Sequence, residues 1–186
     1  MFIQTEQTPN PATLKFLPGQ PVMPAAGTAD FTDLEEAAVS PMATRLFQVE
    51  GVTGVFLGAD FITVTKAENQ DWYLLKPAVL GAIMEHFLSG EPVIEAGAEV
   101  VDAGGHAPED DAIVRQIREL IDTRVRPAVA QDGGDITFQG FERGVVYLHM
   151  RGACSGCPSS TITLKNGIEN LLRYYVPEVV EVRPVG

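Results

Sequence analysis

The sequence predicts an α+β protein of two small domains, on three observations. Strand-like alternation and helical spacing of apolar residues both occur on each side of a central stretch. That stretch, Ser89 to Ala107, shifts to Gly, Ala, Glu and Pro and carries Gly104-Gly105 near its end, the composition of a linker. Beyond it the pattern runs helix, strand, strand, loop, helix, strand. Such an order builds a small layered unit with two helices on one face of a sheet. The expected division is residues 1–88, a linker over 89–107, and residues 108–186.

In the first half, Phe2 to about Glu6 reads as a strand leading into a turn at Thr8-Pro9-Asn10-Pro11. Thr13 to Leu17 alternates, with Leu14 and Phe16 on one face, and Pro18-Gly19 closes it. Pro21 to Asp30 reads as loop. Ser40 followed by Pro41 marks the cap and first residue of a short helix through Phe47. Val55-Phe56-Leu57 and the β-branched run Phe61 to Lys66 form a hairpin about Gly58-Ala59-Asp60. A helix from about Trp72 to Leu88 carries Leu75, Val79, Ile83 and Phe87 at helical spacing, with Pro77 expected to mark its proper start. Trp72 and Phe61 are expected in the core.

In the second half, Pro108-Glu109-Asp110-Asp111 opens a helix with acids in its first turn, where the helix dipole favours them. Ile113, Ile117, Leu120, Ile121 and Val125 form its expected buried stripe, which stops before Pro127. Asp132-Gly133-Gly134-Asp135 turns the chain into Ile136 to Gln139, and Glu142-Arg143-Gly144 into Val145 to Met150, a hairpin. A helix follows from Pro158 to Tyr174, with Ile162, Ile168, Leu171, Leu172 and Tyr175 expected inward. Val176-Pro177 breaks it before a last strand, Val179 to Arg183.

Composition narrows the function. The formal net charge is −12, from 25 acidic against 13 basic residues, and no basic patch with interleaved aromatics occurs, which argues against a nucleic-acid partner. At 45% hydrophobic the chain can bury real cores, yet no apolar run reaches the length of a membrane span. The N-terminus lacks the basic start and apolar run of a signal peptide. Two cysteines do not make a disulfide scaffold, so a reducing, cytoplasmic compartment is expected.

Both cysteines lie in Gly152-Ala153-Cys154-Ser155-Gly156-Cys157-Pro158-Ser159-Ser160-Thr161. Pro158 suits a first helical turn, and the hydroxyl residues around it suit a helix entrance. A helix N-terminus favours thiolate, the form that binds metal and attacks disulfides. Four readings arise: half of a zinc site, a thioredoxin-type disulfide, part of an iron–sulfur site, or inert thiols. A tetrahedral zinc or a 4Fe–4S cube takes four protein ligands, and His86, His106 and His149 are scattered. A complete four-thiolate site therefore needs two chains, each lending Cys154 and Cys157, about a two-fold axis. Disulfide exchange is the weaker reading, because the preceding strand belongs to an antiparallel hairpin and glycines flank the motif. Beside the loop, Arg151 either offsets cluster charge or is solvated. Nothing in the first domain shows catalytic spacing, and the expectation is a protein that is not an enzyme.

The Asp132–Asp135 turn, the Gly152–Ser160 motif, Thr163-Leu164-Lys165-Asn166-Gly167-Ile168-Glu169 and Val176-Pro177-Glu178-Val179 closely resemble the NifU-like domain of Nfu proteins. Thr8-Pro9-Asn10-Pro11, Leu14-Lys15-Phe16, Gly51-Val52, Val55-Phe56, Asp60 to Val64 and Trp72 resemble the Nfu N-terminal domain. The resemblance implies an iron–sulfur cluster scaffold or carrier with Cys154 and Cys157 as ligands. It would hold a 4Fe–4S cluster between two protomers, form a homodimer on binding it, receive it from donor proteins and pass it to apo-proteins. It implies a bacterial cytoplasmic protein, or a mitochondrial-matrix one in a processed eukaryotic form. An exposed, loop-held site is expected, since transfer requires release. The rival expectations are a thiol–disulfide oxidoreductase using the same cysteines and a zinc-bridged dimer.

Overall fold

The computed structural model describes residues 1–23, 27–96, 98, 112–154 and 158–185, with residues 158–161 described by their backbone alone. The expected acidic helix start at Pro108–Asp111, most of the expected linker, His106 and Cys157 lie outside the described residues. The chain forms two compact units, Met1–Asp102 and Ala103–Gly186, and the structure is α+β.

In the first unit, strands β1 (Gln4–Gln7), β2 (Thr13–Leu17), β3 (Ala29–Phe31), β4 (Val52–Leu57) and β5 (Ile62–Lys66) form one sheet in the order β1-β2-β5-β4-β3. All four pairings are antiparallel. The turn before β2 is built by Asn10, whose Oδ1 accepts the Ala12 N–H at 3.0 Å, a side-chain mimic of a backbone turn. Helices α1 (Pro41–Phe47) and α2 (Trp72–Ser89) complete the unit. Alternation sends Leu14 and Phe16 of β2, Val55 and Leu57 of β4, and Ile62 and Val64 of β5 into a core shared with Met42, Leu46, Val79 and Ile83. Trp72 packs against this core, while Phe61 is buried beside Phe56, with ring centroids 5.9 Å apart.

Ser40 caps α1 as expected, its Oγ accepting the Ala43 N–H at 3.0 Å. The same hydroxyl donates to the Val93 carbonyl at 2.6 Å, tying down the chain that leaves α2. Asp71 caps α2 by accepting the Tyr73 N–H at 2.9 Å, and Gly90, at φ +74°, ends it. The helix thus starts at Trp72 with Pro77 inside it, not at Pro77. The ring sits on the exposed side, where the carbonyl it leaves unbonded can meet water. β3 falls in the stretch expected as loop; three residues that pair with β4 make too short a pattern to read.

In the second unit, a helix runs as α3 (Ala112–Leu120), a π-helical turn (Ile121–Val125) and α4 (Arg126–Gln131). It was expected to stop before Pro127, but it passes through. Proline cannot donate to Thr123, and the strain is taken up one residue earlier, where the Arg126 N–H reaches back to the Ile121 carbonyl. The wider turn serves packing as well. Ile117, Ile121, Val125 and Val129 recur every fourth residue, a spacing that outruns a 3.6-residue turn, and all four are buried. Val114 is buried too, whereas Ile113 and Leu120 pack at the edge of the core.

Strands β6 (Gly134–Glu142) and β7 (Val145–Gly152) are antiparallel, and helix α5 (Pro158–Tyr175) crosses over to β8 (Glu181–Val185), which pairs with β7 in parallel. The β6–β7 turn holds Arg143 at φ +53° and Gly144 at φ +80°, the paired positive values of a tight hairpin turn. Ile168 and Leu172 of α5 enter the core with Ile136, Leu148 and Val182, and Leu171 packs at its edge. Ile162 is instead 60% exposed and Tyr175 38% exposed, against expectation: the inward face of α5 is the one carrying Ile168 and Leu172.

Candidate functional site

The end of α4, the start of β6 and the end of β7 converge. Gly133 takes φ +79°, the left-handed conformation that stops a helix, and its N–H bonds the Ala130 carbonyl at 3.1 Å. Gly134 then pairs with Gly152, and Asp135 with Arg151, across β6 and β7. The Ala153 N–H donates to the Gly133 carbonyl at 3.3 Å, carrying the pairing one residue past β7. Cys154 follows.

Its thiol lies on the Gly134 backbone. A Cβ added to Gly134 would stand 2.6 Å from Cys154 Sγ, 2.9 Å from the Arg151 carbonyl oxygen and 3.1 Å from the Cys154 nitrogen. The second glycine of the turn is therefore required by close approach rather than by its dihedral angles. Cys154 is buried, at 7% exposure, and not on an open loop as expected. For Cys154 the thiolate expectation fails with it: the thiol is pushed up to about 12, first by burial and then by the Asp132 and Asp135 carboxylates. The helix N-terminus that was to favour thiolate begins only at Pro158, beyond Cys154 in the chain.

Asp135 is 4% exposed and held by Arg126 through two parallel hydrogen bonds, Nε to Oδ1 at 2.9 Å and an Nη to Oδ2 at 3.0 Å. Its Oδ1 also accepts the Ile136 N–H at 2.9 Å. A second Arg126 Nη reaches Asp122 at 3.4 Å. Such forked pairing fixes direction as well as charge. Arg151 is 4% exposed, so it is not the solvated arginine of the alternative reading. His149, half-buried on β7 opposite Thr137, is held below the usual histidine range by burial and then by Arg151.

The sequence singles out Cys154 but reads Asp132–Asp135 as a tight turn, and the structure sets that turn against Cys154. It did not mark Arg126, nine residues from the acid it grips. The available signal was Pro127 interrupting an otherwise continuous apolar stripe. One argument from sequence also changes. β7 is antiparallel to β6 but parallel to β8 through α5, so the cysteines follow a strand of a β-α-β crossover, and hairpin membership no longer weighs against disulfide exchange.

Comparison with known proteins adds an independent finding. Residues 3–90 match the family "Scaffold protein Nfu/NifU N terminal", and residues 117–183 match "NifU-like domain". The chain is 52% identical over 186 residues to the human protein named "NFU1 iron-sulfur cluster scaffold homolog, mitochondrial", covering all of this chain and 72% of that one. It is 52% identical over 190 residues to the protein of the same name from Drosophila sechellia, covering 65% of its length. The chain thus spans just under two thirds of several fly relatives it matches. Among solved structures, the NifU-like protein from Saccharomyces cerevisiae is 27% identical, with a TM-score of 0.42 over 52% of this chain and 86% of that one.

Proposed function

Because the chain belongs to the Nfu family of scaffold proteins, we propose that it carries an iron–sulfur cluster and hands it to apo-proteins. In this reading a 4Fe–4S cluster is the cargo, shared between two copies and ligated by Cys154 and Cys157 of each. The observation that carries the reading is the count of thiols. The whole sequence holds two cysteines, at the spacing of a cluster motif, where a cube takes four. The structure supports a metal-holding role for Cys154 by seating its sulfur against main chain, with no side chain on Gly134 to stand between. Loading replaces the thiol proton with iron, the usual coupling at a thiolate site.

Residues 108–186 act as the cluster-binding domain, residues 1–88 as the Nfu N-terminal domain, and 89–107 as their linker. The chain acts as a carrier and not as an enzyme. Its partners are cluster donors and apo iron–sulfur proteins. The relatives' names place them in mitochondria, and among the described residues no helix is long and apolar enough to cross a membrane.

Anaerobic loading with iron and sulfide tests this. A brown protein with four irons and four sulfides per particle of two chains is expected. Cys154→Ala and Cys157→Ala should each abolish loading and leave the far-ultraviolet circular dichroism unchanged. A loaded particle weighing one subunit, or a variant that still binds a full cluster, overturns the assignment.

A further inference from the structure

We infer that Arg126 is a positioning residue for the cysteine site, acting through Asp135 on the turn that seats Cys154. The inference rests on the cluster-carrying reading. Its physical basis is a short chain of contacts. Arg126 grips both oxygens of a carboxylate that is almost wholly buried, and one of those oxygens also takes the Ile136 N–H. Asp135 therefore cannot turn without breaking three hydrogen bonds. Gly134, immediately before it, lies against Cys154 Sγ, and Gly133 accepts the Ala153 N–H. The orientation of Asp135 thus sets the floor on which the sulfur rests.

Arg126 reaches this place through the helix distortion. It follows the π-helical turn directly, and its own N–H makes the bond that closes that turn. Distortions of this kind recur where a helix must aim a side chain at a functional site. Electrostatics gives the pair a second task. A cluster bound by four thiolates is anionic, and Asp135 directly follows Gly134, the residue that lies against Cys154 Sγ. Without the guanidinium, a buried carboxylate beside anionic cargo would lose two charge-assisted hydrogen bonds. Arg126 and Asp135 together present a neutral, fixed dipole instead.

The test compares Arg126→Gln, Arg126→Lys and the double variant Arg126→Gln/Asp135→Asn in the full-length protein. Val182→Ala, a core truncation on β8, controls for lost stability alone. Two readouts are taken: amide exchange of Ala153 in the apo-protein, and the rate at which the loaded cluster surrenders iron to a chelator. Arg126→Gln should speed both by about tenfold, the scale of one lost charge-assisted hydrogen bond. Arg126→Lys keeps the charge but not the fork, and should fall between. The double variant removes the carboxylate charge together with the guanidinium that balances it and should recover most of the release rate. Val182→Ala, matched for thermal midpoint, should leave the release rate near wild type.

Exchange and release unchanged in Arg126→Gln would overturn the inference, as would equal effects in Val182→Ala. A wild-type protein that takes up no cluster would sink the carrier reading instead, and apo-protein exchange would still decide whether Arg126 sets the loop.

Discussion

At the scale of single residues, the site turns on what Gly134 lacks. Gly134→Ala places a methyl group 2.6 Å from sulfur and 2.9 Å from a backbone oxygen, neither of which is the free end of a flexible chain. The expected cost is about 1–3 kcal/mol, the usual range for overpacking, together with loss of cluster loading; urea unfolding and iron content check the two parts. In the sequence this residue is half of the Gly-Gly pair of a turn, where dihedral freedom is the usual reason for glycine. That reading suits Gly133, at φ +79°, but not its neighbour. Close approach depends on which strand ends meet, and a linear pattern does not carry that. The cysteines were legible because thiol spacing is local. The protonation of Cys154 was not, because burial and two carboxylates come from the fold.

His86 gives a second prediction at this scale. It is fully buried on α2, neither ring nitrogen has a hydrogen-bond partner, and its ring meets Phe87 edge-on at 5.8 Å between centroids. Burial, and then the Arg45 charge, hold it below the usual 6.5, with Glu91 opposing them. The folded unit therefore keeps the neutral ring, while the unfolded chain takes up a proton as pH falls below about 6.5. Stability of the first unit should be full above that pH and decline beneath it. His86→Leu should flatten that decline and raise stability at neutral pH by about 1 kcal/mol, since two unsatisfied buried atoms disappear. Thermal unfolding across pH 5 to 8 measures both effects.

Elements show where local signals suffice. Ser40 before Pro41 announced α1, and the hydroxyl does cap it. What the signal could not show is the second bond of the same oxygen, to the Val93 carbonyl across the unit. Ser40→Ala should thus exceed a plain cap deletion, with a loss of about 2 kcal/mol, at the top of the range for caps. A smaller loss in urea unfolding, below about 0.5 kcal/mol, would mean that water replaces the second bond. The helix of α3 and α4 shows the opposite case. Proline usually terminates a helix. A stripe repeating every fourth residue favours a wide turn instead, and the wide turn accommodates the proline. Two irregularities compensate each other, and neither is readable without the other. Ile162 was misplaced for a simpler reason: five apolar positions were assigned inward on a helix whose buried face is narrower.

For the whole molecule, two separate cores imply two separable stabilities. In calorimetry, Ser40→Ala and His86→Leu should move one unfolding transition, while Gly134→Ala and Val182→Ala move the other. A single transition that shifts with all four would mean that the units unfold as one. Two domains of mixed helix and strand were legible because alternation and helical spacing survive in short windows. The parallel pairing of β8 was not, because it joins segments separated by the whole of α5.

That pairing has a consequence for biosynthesis. Until residues 181–185 have left the ribosome, β7 has β6 alone beside it and an open edge on its other side. Parallel closure across a full helix is a slow, non-local event. The cysteine site is thus framed only once residues 181–185 have emerged, so a nascent chain stalled before them would carry both cysteines without the finished three-stranded sheet.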